Sequence, residues 1–336
     1  MPENFIHDDA AHVDLPLGTV LVSEGRRGQE HFFASLDDSP SLGVVDAPNE
    51  GAAPSSLWRD AWQQMRRRPM FWVSALLIVL VIVIAIFPQL FTSVDPRFCQ
   101  LSDRAGAPRA GHLLGFDGQG CDVYSRIIFG ARPSVTVGVL TTIGTSLLGV
   151  AIGSIAGYFG KWFDTILSRL TDIFFAIPFL LAAILVASTF AEHRTIWLIA
   201  ATLSVFGWPS IARITRGSVL SVKNNEFVTA ARALGTSRMG ILWGHVVPNS
   251  IAPVIAQATV MLGGAIVAEA TLSFLGVGLP GSVVSWGGDI SRAQGMLNTN
   301  PQVLLWPGLA LAITVLSFIM MGDVVRDALD PKARTR

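Results

Sequence analysis

Apolar residues in this chain gather into long uncharged runs instead of alternating with polar ones. The runs fall at about 70–91, 133–158, 173–190, 196–212, 251–268 and 303–321. Each is long enough, or nearly so, to cross roughly 30 Å of hydrocarbon as a helix. The pattern predicts an all-α polytopic membrane protein with six transmembrane helices. The first run begins too far from Met1, and after too many acidic residues, to be a cleaved leader.

Between the fourth and fifth runs the pattern shortens. The stretch Asn225-Glu-Phe-Val-Thr-Ala-Ala-Arg-Ala-Leu-Gly235 predicts a small amphipathic helix, with Phe227, Ala230, Ala231 and Leu234 on one side at helical spacing. Asn225 is placed to cap its free amides, and Gly235 to take the left-handed turn that ends it. About nine residues make a rod of roughly 13 Å, too short to keep its shape alone in water. A partner has to hold it. Upstream, Trp58 to Pro69 predicts an amphipathic approach helix that reaches the membrane through Arg66, Arg67 and Arg68.

Composition agrees with a membrane chain. Hydrophobic residues make up 51%, charged residues only 14%, and the mean hydropathy is +0.52. The formal net charge is zero, so no nucleic acid or other polyanion is implied as a partner. Alternating the sides gathers Arg66–Arg68, Lys161, Arg169, Arg213, Arg216, Lys223, Arg232, Arg238, Arg326, Lys332, Arg334 and Arg336 on one face. The positive-inside rule makes that face the cytosol, which puts both termini and the 214–250 loop there. The outer loop at 92–132 also holds arginines, accompanied by Asp95, Asp103, Asp117 and Asp122. It is the one loop that does not follow the rule cleanly.

Residues 1–57 are acidic, with Gly and Pro scattered through and no sustained apolar period. They read as a cytosolic tail, disordered or docked on a partner, with a small soluble domain as the alternative. Residues 332–336 form a short C-terminal tail, and 58–331 the membrane domain.

Only two cysteines occur, Cys99 and Cys121, both in the 92–132 loop. Two thiols sharing one outer loop favour a disulfide on the oxidising side; two unlinked thiols are the other reading. Closing that loop of about 22 residues would stabilise by roughly 3 kcal/mol in the chain-entropy account. Two sulfurs with no convergent histidine do not make a metal site.

The search for enzyme chemistry returns blanks. Gly153, Gly157 and Gly160 precede Lys161, but Ile155 and Trp162 stand where a phosphate loop needs Gly and Ser or Thr. No Gly-x-Ser-x-Gly elbow or His-Glu-x-x-His helix occurs, and the six histidines are dispersed, with His7, His12 and His31 in the tail. Other features suit packed, moving helices. Gly149, Gly153 and Gly157 recur every four residues and offer a face for close helix approach. Pro178 and the pair Gly263–Gly264 weaken helices at membrane depth. Asp172 and Glu269 are ionisable groups at or near the bilayer and so are candidates for a translocation path or gate. Pairing with Arg169 or Arg213 is the structural reading for Asp172; for Glu269 the alternatives are a polar contact near the outer gate and contact with substrate.

At this point the residues carry a family resemblance. The stretch Glu226–Asn249 resembles the cytosolic loop of permease subunits in binding-protein-dependent ABC importers. That loop has the form Glu-Ala-Ala, three residues, Gly, nine residues, Ile-x-Leu-Pro; here it reads Thr229-Ala230-Ala231, Gly235, then His245-Val-Val247-Pro248. More closely, the chain is similar to the C-type permease subunit of dipeptide and oligopeptide importers. The matching stretches are His112–Arg126, Arg169–Pro178, Ala268–Gly278 and Gly322–Pro331.

The resemblance implies a type I importer permease fold in a bacterial cytoplasmic membrane. It implies pairing with a homologous second permease, and seating on two ATP-binding subunits or one fused pair. An extracytoplasmic peptide-binding protein would deliver peptide to the 92–132 and 276–302 loops. ATP and magnesium would belong to the partner subunits, and this chain would bind no cofactor and catalyse no reaction. Glu226, Phe227, Thr229, Ala230, Ala231, Arg232, Leu234 and Gly235 would form the coupling helix, docked on an ATPase. Thr229 departs from the family's usual glutamate, and Cys121 stands where many relatives carry arginine. A permease for nickel chelates or another small solute shares most of these motifs. An ion-coupled secondary transporter fits less well, because intramembrane charges are few and no inverted repeat is visible.

Overall fold

The computed structural model describes residues 23–25, 29–31 and 57–329. The chain divides into two units, Met1–Ser56 and Leu57–Arg336. In the first, β1 (Ser23–Gly25) and β2 (Gln29–His31) pair antiparallel, a hairpin that the sequence pattern did not suggest. The expectation of a disordered or docked tail otherwise falls on residues 1–57 outside the described ones, as does the 332–336 tail.

Among the described residues from Leu57 to Leu329 every regular element is a helix. A short helix α1 (Leu57–Met65) precedes α2 (Pro69–Ile86). Proline supplies the first residue of α2, where its missing N–H costs nothing, and Pro88 lies just past its end. The helix α3 (Val123–Phe159) follows, opened by Asp122, whose carboxylate accepts the Ser125 N–H at 2.7 Å. It starts ten residues before the apolar run begins, so the expected 92–132 loop is shorter than the hydropathy suggested. The charges that hid this start are compensated at long range. Arg126 pairs with Asp289, and Arg132 donates to the carbonyls of Ala85 and Ile86 at 2.8 and 2.7 Å, where α2 ends.

The third crossing differs most from expectation. Instead of one span at 173–190, α4 (Lys161–Ala176) and α5 (Phe179–Thr189) meet at a 79° bend. Pro178 has no N–H to continue α4, and Ile177 before it is extended. The remaining crossings are α6 (Ile196–Val222), α8 (Ala252–Phe274) and α10 (Gln302–Leu329). Among the described residues, five helices are thus long and apolar enough to span, or six crossings with the bent pair counted as one. Between α6 and α8 lies α7 (Glu226–Ala233), and between α8 and α10 lies α9 (Trp286–Ala293). The glycine pair in α8 makes no break. That helix is continuous, and Gly263 instead lets it approach Val315 of α10.

The glycine ladder of α3 sets the central contact. A methyl group built on Gly149 would lie 2.6 Å from the Ile211 side chain, on Gly153 2.4 Å from the Ala212 oxygen, and on Gly157 2.9 Å from the Arg216 oxygen. Only glycine permits two helices to lie this close. The rising numbers on both sides show that α3 and α6 run parallel, both descending toward α7. The α7 end of the bundle therefore collects the ends of α3 and α6 and the starts of α4 and α8. Arg68, just before α2, joins Asp327 in the last turn of α10.

The other end carries the loop closed by a disulfide between Cys99 and Cys121. Asp117 in that loop accepts the Gln119 and Cys121 amides at 2.8 and 2.9 Å. Arg126 then ties three segments together. It donates to Asp289 Oδ1 from Nε and Nη2 at 2.8 and 2.7 Å and to the Pro96 carbonyl at 3.0 Å. Burial pushes the Asp289 carboxyl up to about 6 against the pull of Arg126. At Asp289 desolvation therefore outweighs the attraction, and the pair fixes the seating of α9 on α3 more than it adds net stability.

Candidate functional site

The α7 segment is held from one side by its own chain. Val228 and Ala231 are buried against Val219, Ile241, Leu242 and Val246. Phe227 and Leu234, expected on the same face as Ala231, are instead 40% and 86% exposed, and Ala230 is exposed with them. The helix thus has two apolar sides, one spent on the chain and one bare. Its support explains how so short a rod keeps its shape, which the sequence assigned to a partner alone.

The ends of α7 follow the expectation in part. Asn225 occupies the cap position, but its side chain makes no capping bond. Gly235 takes φ +82°. The Thr236 amide then reaches the Ala231 carbonyl and the Gly235 amide the Arg232 carbonyl, both at 3.1 Å. That is a Schellman ending, which a side chain at position 235 would strain.

Both arms of the α7 loop are fastened to the bundle. Lys223 Nζ donates to the Gly157 carbonyl at 2.8 Å, in the last turn of α3. Ser218 Oγ donates to the Ser250 carbonyl at 2.8 Å, which ties α6 to the segment entering α8. Between α7 and α8 the chain runs through Arg238–Ile241, a π-helical turn at Leu242–Val246, and Val247–Ser250. A push on α7 therefore reaches α3, α6 and α8 through short contacts.

Two cavities flank the α4–α5 bend. The larger, about 490 Å³, is lined by Phe174, Phe175, Phe179 and Phe206, with Thr141, Ser210 and Gln257 as polar groups and no charged side chain. The smaller, about 180 Å³, opens toward the α7 end and holds Ser168, Thr171, Asp172, Arg213 and Arg216. Asp172 lies 3.7 Å from Arg169 and 3.9 Å from Arg213, the partners foreseen for it. Glu269 lines neither cavity. It is fully buried in α8, where it accepts the Ser273 hydroxyl at 2.7 Å. Ser273 Oγ in turn accepts the Leu279 amide at 3.1 Å. The aromatic cavity was missed in the sequence; Phe174-Phe175 next to Pro178 was the available signal. Among the described residues no His, Cys, Asp or Glu cluster could hold a metal.

With this geometry in place, residues 149–335 match the family model described as the binding-protein-dependent transport system inner membrane component. The chain belongs to this family. Residues 56–108 of the permease also match the N-terminal TM domain of oligopeptide transport permease C. It is 37% identical over 288 residues to the dipeptide transport system permease protein DppC of Alkalihalophilus pseudofirmus, covering 86% of this chain and 94% of that one. The oligopeptide transport system permease protein OppC of Bacillus subtilis matches at 37% over 289 residues, with the same coverage. The glutathione transport system permease protein GsiD of Pectobacterium atrosepticum is 33% identical, covering 83% and 92%. In structure, the permease superposes on a chain of the inward-facing MetNI methionine ABC transporter with a TM-score of 0.50 and 20% identity. That alignment covers 61% of this chain and 96% of the other. At this identity the likeness speaks to fold alone, and the fold is that of an ABC importer permease.

Proposed function

We propose that this permease carries peptides inward across the cytoplasmic membrane, driven by ATPase subunits that grip α7. The observation that carries the reading is the bare apolar side of α7. Phe227, Ala230 and Leu234 are presented outward on a helix whose other side is packed into the bundle. A groove on an ATPase would cover them and gain roughly 1.5–3 kcal/mol for each large side chain buried. Glu226, Thr229 and Arg232 would rim the contact, with Gly235 ending it.

Peptide as the cargo rests on the dipeptide, oligopeptide and glutathione permeases at 33–37% identity. The α7 end would face the cytosol, since Arg66, Arg67, Arg68, Arg213, Arg216, Lys223, Arg232 and Arg238 gather there. A homologous second permease would complete the path, and a peptide-binding protein would dock at the disulfide end. Closure of the ATPases would draw α7 inward, and its ties to Gly157 and Ser250 would pass the movement to α3, α6 and α8.

The intact complex, co-purified with its partners and reconstituted in vesicles, tests this. ATP-dependent uptake of a labelled tripeptide is expected. Uptake by this chain alone on an ion gradient would overturn the reading in favour of a secondary carrier.

A further inference from the structure

One stacked pair joins the linings of the two cavities. Phe175 lines the aromatic cavity and Arg213 the smaller one, and the Arg213 guanidinium lies 4.5 Å from the centre of the Phe175 ring. A solute leaving the uncharged cavity toward the α7 end meets this pair, and Arg213 is the first cation beside it.

The charges around Arg213 do not balance. Arg216 is satisfied by Asp164, which takes two of its nitrogens. Arg169 and Arg213 share the single carboxylate of Asp172, at 3.7 and 3.9 Å. Both distances exceed a hydrogen bond, so the guanidinium of Arg213 keeps donors to give. One positive charge is left over among Arg169, Arg213 and Asp172. The stack on Phe175 orients the planar group, whose side chain is 63% exposed, without using its N–H donors. An oriented guanidinium with free, paired donors suits a carboxylate, which it can bind through two parallel hydrogen bonds.

We propose that Arg213 is a carboxylate-recognition site that receives the C-terminal carboxylate of a peptide as it leaves the aromatic cavity. This rests on the peptide-importer reading above. Asp172 competes for the same guanidinium, so the bound carboxylate is exchanged for an internal one and released. The aromatic cavity, with no charge of its own, takes the peptide's apolar side chains while Arg213 reads its terminus.

The test uses the full complex in vesicles, with trialanine and trialanine C-terminal amide as probes. Each variant is compared with the wild type for each peptide, so any preference of the binding protein cancels. R213Q should slow trialanine uptake about tenfold, the loss of one charge-assisted contact, and leave the amide nearly unchanged. R213K, which keeps the charge but loses the paired donors and the stack, should restore only part of the trialanine rate and change nothing for the amide. Equal slowing of both peptides, or no slowing of either, would overturn the assignment while leaving the importer reading intact. If the wild type takes up neither peptide, the importer reading falls and this assignment with it.

Discussion

A methyl group on Gly153 would sit 2.4 Å from the carbonyl oxygen of Ala212, closer than any real contact allows. The oxygen belongs to backbone, so no side chain can swing aside. G153A should therefore destabilise by about 1–3 kcal/mol, as overpacking in a close-packed interface does. G153L should prevent the parallel α3–α6 pairing. G217A, at a helical glycine with open space around it, should be tolerated. Thermal unfolding of the purified complex in detergent separates the three.

Asp289 and Arg126 predict a second outcome. D289A removes the carboxylate shared by Arg126 and Arg292 and leaves the buried Arg126 only Asp117, 3.8 Å away, a loss of about 3 kcal/mol. R126K should be harmful too, because one ammonium cannot reach Asp289 twice and Pro96 at the same time. The damage should appear as faster hydrogen exchange in α9 and the disulfide loop, with α7 unaffected.

The Cys99–Cys121 bond predicts a third. The double change C99S/C121S should lower the stability of the loop by about 2–4 kcal/mol, by freeing the unfolded segment. Limited proteolysis between residues 97 and 122 should then accelerate. Mass spectrometry of the unreduced wild type should show the linked peptides. Two freely alkylated thiols would contradict the pairing.

Glu269 predicts a fourth. Its link through Ser273 to the Leu279 amide is built from hydrogen bonds, so E269Q should keep fold and uptake. E269L loses the acceptor for Ser273, about 1 kcal/mol, and should speed exchange at the Leu279 amide. Loss of uptake in E269Q with stability unchanged would instead assign Glu269 a charged role in transport.

The spans were legible because an unbroken apolar run has no other stable place, and the disulfide because the only two cysteines share a loop. The start of α3 was not. Arg126 has Asp117 nearby at 3.8 Å, but the carboxylate it hydrogen-bonds lies 163 positions away in sequence, beyond any local window. The α4 helix was hidden for a similar reason, since Lys161, Asp164, Arg169 and Asp172 interrupt its hydropathy. Periodicity revealed that α7 has an apolar side but not which neighbour covers it. Val228, overlooked in that pattern, turned out to be the anchor, and Phe227 and Leu234 were left bare. The stack of Arg213 on Phe175 depends on how α4 bends toward α6, which no one-dimensional pattern records.

A single thiol on the exposed side of α7 shows whether an ATPase grips that helix. L234C adds the only reactive cysteine to a chain whose native pair is joined, at a position 86% exposed. Thiol cross-linking in the intact complex, without nucleotide and with ATP bound, should join residue 234 to an ATPase subunit in both states. A thiol at 234 that stays freely alkylated through the whole nucleotide cycle would mean that no ATPase covers α7.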